Sequence, residues 1–266
     1  MKLIILTENT AGGRFGAEHG LSYLIEHDER TILFDTGSSD LFLRNAKKLD
    51  INLQQEVDLI VLSHGHWDHG DGLRYFKNKP LLTHPGAFIK RFRKSDGTSV
   101  GLSLSESSIR DKYEVTTSSK PYRISEHIYF LGEIPRQNKF ESQTTSFIDA
   151  KGMDDFVPDD SALAVIINQK LTVITGCSHS GICNICEYAK QITGIPTIER
   201  VIGGFHLKHN DEQTQQTIRY FQKEKVNNLL PSHCTELPAL AAFHANFGIS
   251  QVKTGKLFNF DETVKQ

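Results

Sequence analysis

The sequence predicts an α/β protein made of two αβ halves packed sheet to sheet. Two observations predict it. Strand-like apolar runs followed by helix-spaced segments occur in the order sheet-then-helices twice over. Polar clusters rich in histidine stand directly after several of those strands, as they do where a sheet rim carries a site. A chain of 266 residues can bury a substantial core in such a plan, here expected as a single domain over 1–266.

The elements follow from local pattern. Leu3–Leu6, Leu21–Glu26 and Thr31–Phe34 read as strands, the last running into Asp35-Thr36-Gly37. Ser38 or Ser39 can cap a helix through Leu49, with Leu41, Leu43, Ala46 and Leu49 apolar. Leu59–Leu62 and Pro80–Thr83 read as further strands. From Pro85 to His127 the pattern dissolves into an irregular, lid-like insertion. It carries eight basic residues (Lys90, Arg91, Arg93, Lys94, Arg110, Lys112, Lys120, Arg123) against five acidic ones, so it reads either as a solvated surface or as a lid for an anionic substrate. Order resumes with strands at Ile128–Leu131 and Thr145–Asp149. A hairpin over Ala162–Asn168 and Leu171–Thr175 turns at Asn168-Gln169-Lys170. Helices at Ile182–Thr193, Asp211–Lys225 and Leu237–Phe247 then alternate with strands at Arg200–Ile202, Asn228–Leu230 and Gln251–Lys253.

Composition excludes some partners. The formal net charge of −2 offers no electrostatic case for nucleic acid or an anionic membrane. No segment approaches the ~20 apolar residues of a membrane span. The opening Met1–Thr7 reads as a first strand rather than a leader. The four cysteines, Cys177, Cys183, Cys186 and Cys234, are therefore expected as reduced thiols in the cytoplasm. Cys183-Asn184-Ile185-Cys186 has C-x-x-C spacing, but with no second such pair it reads more readily as two thiols of a helix facing the core.

The chemistry concentrates in His64-Gly65-His66-Trp67-Asp68-His69, which places three imidazoles and a carboxylate within six residues after a buried strand. Histidines two apart at a strand end point the same way and can grip one metal, while Asp68 and His69 can turn toward a second. His179, His206 and His233 each follow a later predicted strand and can complete such a centre. Asp35 either orients a metal-bound histidine or caps the next helix.

Asp35-Thr36-Gly37, the H-x-H-x-D-H run and the late His233 together resemble the metallo-β-lactamase superfamily. That resemblance implies an αββα sandwich of two mixed β-sheets flanked by helices, with a one- or two-metal site at one edge. The segments Glu18–Ser22, Gly132–Arg136, Thr175–Gly181, Gly203–Leu207 and Pro231–Thr235 extend it over nearly the whole chain. They resemble a branch of metal-dependent hydrolases related to 7,8-dihydropterin-6-methyl-4-(β-D-ribofuranosyl)aminobenzene 5′-phosphate synthase. The chain departs from the pattern at Gly70-Asp71-Gly72, at Glu236 and at Gly176-Cys177, where the superfamily often carries a bridging aspartate. Either Cys177 supplies a thiolate there or His179 serves instead.

The resemblance and the ligand set imply metal-activated water. His64, His66 and His179 would hold a first metal, and Asp68, His69 and His233 a second. Asp68 and His206 are the expected catalytic groups, His206 as ligand or substrate contact, and His19 and Arg136 are expected to touch substrate. The expected cofactor is Zn2+, one ion or two, with Mn2+ or Fe2+ as alternatives. The expected partner is a small anionic substrate, pterin- or phosphate-containing in one reading. Hydrolysis is the first expectation, pterin-related ribosyl-phosphate transfer the second, and non-catalytic metal and ligand binding the third.

Overall fold

The structure, a computed structural model, describes residues 1–260; positions 261–266 of the expected single domain lie outside the described residues. In chain order the strands are β1 (Lys2–Thr7), β2 (Ser22–His27), β3 (Arg30–Phe34), β4 (Leu59–Val61), β5 (Pro80–Thr83), β6 (Arg91–Arg93), β7 (Glu114–Thr117), β8 (Tyr122–Arg123), β9 (Ile128–Phe130), β10 (Phe147–Asp149), β11 (Asp154–Asp155), β12 (Ala162–Ile167), β13 (Lys170–Thr175), β14 (Ile198–Gly204), β15 (Asn228–Ser232) and β16 (Leu257–Asn259). The helices are α1 (Leu41–Lys47), α2 (Leu53–Glu56), α3 (Trp67–Gly70), α4 (Glu106–Arg110), α5 (Ile182–Thr193), α6 (Glu212–Lys223) and α7 (Leu237–Phe247).

Two mixed sheets carry the fold. The first runs β16-β1-β2-β3-β4-β5-β7 and the second β15-β14-β13-β12-β9-β8. In the first, β1, β2 and β3 pair antiparallel while β3, β4, β5 and β7 pair parallel. In the second, β13, β14 and β15 are parallel. Strand alternation decides which residues face which layer. Leu3 and Ile5 of β1 meet Leu163, Val165 and Ile174 in a core between the sheets. Ile4 and Leu6 face the other way, onto Phe42 and Ala46 of α1. Ala162, Ala164 and Val173 face α5, α6 and α7 through Ile185, Phe221 and Phe243. This is the αββα layering that the two-half reading predicts. Cys183 and Cys186 belong to the core beneath α5, as expected of a helix-borne pair.

The hairpin turns on Asn168 and Gln169 alone, both with positive φ (50° and 59°), which matches the twist of the flanking strands. Asp211 caps α6 by accepting the Thr214 N–H. Two expectations are corrected. Gln251–Lys253 is not a strand; the closing edge strand is β16, paired antiparallel to β1. The segment 85–127 is not wholly irregular. It holds β6, α4 and β8, and its β7 extends the first sheet beside β5. β10 pairs with β6 and β11 in a third, three-stranded sheet. No helix among the described residues is long and apolar enough to cross a membrane.

Candidate metal centre

The polar residues gather where the carboxyl ends of several strands meet. β3 delivers Asp35, β4 delivers His64 and His66, and α3 carries Asp68 and His69. From the second sheet, β13 delivers Cys177 and His179, β14 His206, and β15 His233 and Cys234. The two rims touch closely. A Cβ at Gly176, on the second sheet, would lie 2.2 Å from Ser63 Oγ on the first, so only glycine admits this contact. Asp35, Ser178, His206 and His233 have left-handed φ values of 57°, 59°, 51° and 50°, a conformation costly outside glycine and held by its surroundings.

The inward atoms form two triads. His64 Nε2 and His66 Nδ1 stand 3.0 Å apart, and a His179 ring nitrogen lies within 4.8 Å of both ligand atoms. His69 Nε2 lies 3.1 Å from His233 Nε2 and 3.6 Å from Asp68 Oδ2, and His233 Nε2 lies 3.2 Å from Asp68 Oδ2. Cys177 Sγ, 3.2 Å from His69 Nε2, sits between the triads and groups with His64 as well.

The outward atoms fix the orientation. His69 Nδ1 donates to Asp35 Oδ2 at 2.6 Å. Asp35 also accepts from Ser63 N and Ser63 Oγ, both at 2.7 Å. Having donated its proton to Asp35, Ser63 Oγ accepts from His64 Nδ1 at 2.9 Å. His233 Nδ1 donates to Asn9 Oδ1 at 3.0 Å. Three rings therefore carry their proton on Nδ1 and turn an Nε2 lone pair inward, the arrangement that suits imidazole for a cation. Asp35 thus takes the histidine-orienting role.

Charge agrees with that arrangement. Burial, reinforced by neighbouring imidazoles, pushes His64, His66 and His179 well below the usual histidine range, which keeps these rings neutral. Burial alone would lower His69 too, but Asp68 and Asp35 outweigh it and raise it to about 9. Burial likewise opposes the charge on Asp68, but His69, His19 and His233 hold its carboxyl well below the usual range. Among the described residues, His66 Nε2, His179 Nε2 and His206 Nδ1 are buried with no hydrogen-bond partner. Such orphaned nitrogens are expensive unless something binds them. Imidazole, carboxylate and thiolate donors at this density fit a divalent cation.

Comparison with known proteins agrees with the fold. The pattern of the metallo-β-lactamase superfamily matches residues 15–82. An uncharacterized protein of Methanocaldococcus jannaschii is 36% identical over 89% of this chain and 91% of its own. The 7,8-dihydropterin-6-methyl-4-(β-D-ribofuranosyl)-aminobenzene-5′-phosphate synthase of the same organism is 32% identical over 98% of this chain and 97% of its own. The chain belongs to the metallo-β-lactamase superfamily. A solved metal-dependent hydrolase of this superfamily superimposes with a TM-score of 0.88 at 28% identity, covering 98% of this chain and all of the other.

Within this metallo-β-lactamase fold, the other expected residues fall in different places. His206 lies beside His179, with ring centroids 4.3 Å apart and the planes tilted by 52°, and lines a cavity of about 280 Å³ together with Ser146, Phe147 and Lys208. His19 is exposed at the rim, its Nε2 3.3 Å from Asp68 Oδ2. Arg136 does not line the cavity: it binds Ser142 Oγ and the Phe156 carbonyl, bracing the loop that does. Arg91, expected in a basic lid, is buried. Its guanidinium grips both oxygens of Asp159 and also Asp155, and Asp159 accepts the Gly65 N–H at 2.8 Å.

The N-terminus of α5 is an anion site of the kind helices offer, but the anion is the chain's own. Buried Glu141 accepts from Cys183 N at 2.9 Å and from Asn184 N at 3.1 Å, so no substrate phosphate binds there. Glu141→Ala leaves those buried donors unpaired and is expected to lower stability by about 1–3 kcal/mol, read from urea denaturation; a wild-type midpoint would refute this capping role.

Sequence reasoning missed two more neighbours of the centre. Cys234 groups with Cys177 and His206, and its place directly after His233 was the available signal. Asn9 binds His233 and approaches His19 Nδ1 at 3.3 Å, a role foreshadowed only by its place after β1.

Proposed function

We propose that the chain is a metal-dependent hydrolase acting on a small anionic ester, lactone or phosphate. The observation that supports it most is the convergence of the two triads, in which His64, His69 and His233 are held by hydrogen bonds from their outward Nδ1 atoms. His64, His66 and His179 would hold one divalent cation and Asp68, His69 and His233 another, and Cys177, its Sγ 3.2 Å from His69 Nε2, could add a sulfur donor. Such cations, when bound, would supply polarisation of a substrate oxygen and a water that is nucleophilic near neutral pH. The Asp68 carboxylate, kept ionised by three imidazoles, can accept the proton released by that water. His206, lining the cavity beside His179, is placed to contact the substrate. A thiolate beside imidazoles favours zinc over magnesium or calcium, with Mn2+ or Fe2+ as alternatives.

Metal analysis of the purified protein tests this reading. About two equivalents per chain are expected, reduced in His66→Ala together with turnover of p-nitrophenyl acetate and bis(p-nitrophenyl) phosphate. Wild-type protein holding less than ~0.2 equivalent after zinc loading would sink the proposal. A second reading, ribosyl-phosphate transfer on a pterin-related substrate, is favoured by the 32% identity to the synthase across 98% of this chain. Full metal loading with tight binding of pterin phosphates and no turnover of either ester would favour it.

A further inference from the structure

The cavity beside His179 does not end at the metal centre. Its outer wall is shared with a second depression of about 580 Å³, through Thr145, Ser146, Phe147 and Lys208. Phe147 stands at the junction, its ring 4.8 Å from that of His66 and 5.6 Å from that of His179. A molecule reaching the centre past this ring would leave its other end in the second depression. That depression is lined by Arg93, Lys94 and Lys208 and by no carboxylate. Asp211, the carboxylate lining the inner cavity, is engaged in capping α6.

Lys208 is the distinctive member. It lies two residues beyond His206, roughly 7 Å along an extended chain, so one strand-end loop sets an imidazole at the centre and an ammonium at the mouth. Among the described residues its ammonium has no ion pair or hydrogen bond. Arg93 and Lys94 pair only with half-exposed carboxylates, Asp96 at 3.4 Å and Asp154 at 2.8 Å, and such surface pairs exchange readily. Ser146 lines both depressions on the shared wall. Three cations around one groove match a dianion better than a monocarboxylate, and the α5 N-terminus is closed to it by Glu141.

We infer that Lys208, with Arg93 and Lys94, is a handle for a phosphomonoester-type dianion at the end of the substrate remote from the reacting bond. The inference rests on the hydrolase reading for where the bond lies, but the handle itself needs no metal. The substrate class is thus an ester or lactone carrying a separate terminal phosphate.

Calorimetric titration at mildly alkaline pH with phenylphosphonate, which cannot be hydrolysed as an ester, tests the handle against benzoate and benzamide. Metal-free and zinc-loaded protein are both used. Phenylphosphonate is expected to bind both forms, more tightly than benzoate, with benzamide silent. Lys208→Ala is expected to weaken phenylphosphonate about tenfold and Lys208→Arg to keep most of the affinity. Equal affinity in wild type and Lys208→Ala would overturn the inference, as would binding confined to the zinc-loaded form, which would place the anion on the cations. Failure to turn over any ester, with the Lys208-dependent binding intact, would instead defeat the hydrolase reading and leave the handle standing.

Discussion

Asp35→Asn is expected to weaken zinc binding by about ten- to a hundredfold while leaving every inward donor atom in place. The reason is the count of donors that converge on one carboxylate: Ser63 N, Ser63 Oγ and His69 Nδ1. An amide offers one oxygen and one NH2 group. If its nitrogen takes the Oδ2 position it opposes the His69 proton; if it takes the Oδ1 position it opposes the Ser63 N–H. Because Ser63 Oγ also orients His64, the disturbance reaches both triads, and both zinc equivalents are expected to bind more weakly. Competition with a chromophoric chelator measures the effect, and wild-type affinity at both positions would refute the orienting role.

Arg91→Met is expected to cost about 3–5 kcal/mol. Removing the guanidinium strands Asp155 and Asp159 in a buried setting with no counter-charge. Asp159 also receives the Gly65 N–H, so the loop between His64 and His66 loses a fixed acceptor and zinc content should fall with stability. Arg91→Lys restores charge without the paired contacts to Asp159 and is expected to recover only part of the loss. Thermal or urea denaturation of the metal-free protein isolates the stability effect, and an unchanged midpoint would show that Arg91 is dispensable.

The two positions also mark what the sequence makes legible. The H-x-H-x-D-H run is readable because its polar side chains lie close together directly after an apolar strand, whereas the choice between the two roles open to Asp35 rests on its contacts with Ser63 and His69. The helices at Ile182–Thr193 and Leu237–Phe247 are likewise legible from apolar periodicity and agree with α5 and α7. Arg91 is not, because it stands in a run of basic residues that reads as solvated. Its burial depends on carboxylates 64 and 68 positions away, a distance at which local pattern is silent. β7 escapes for a related reason: Glu-Val-Thr-Thr at a sheet edge has only one apolar residue, and its place is set by pairing with β5. Glu141 gives no sign in sequence of capping α5, since a loop carboxylate can reach a helix end only through the tertiary fold. Cys177 is visible as a substitution in a familiar step, yet its companionship with Cys234 and His206 appears only when three strand ends are brought together.

The division of the centre between the two sheets sets an order of events during folding. His64, His66, Asp68 and His69 are neighbours in the nascent chain, but His69 meets Cys177 and His233 across 108 and 164 positions. Contacts of such long range form late, after their loop-closure entropy has been met by docking of the halves. A chain still emerging from the ribosome therefore offers a cation only a fragment of the coordination it will later have. On the proposed metal-centre reading, high-affinity loading would be a closing event of maturation, and synthesis under zinc limitation should accumulate folded, metal-poor protein that remains competent to be charged afterwards.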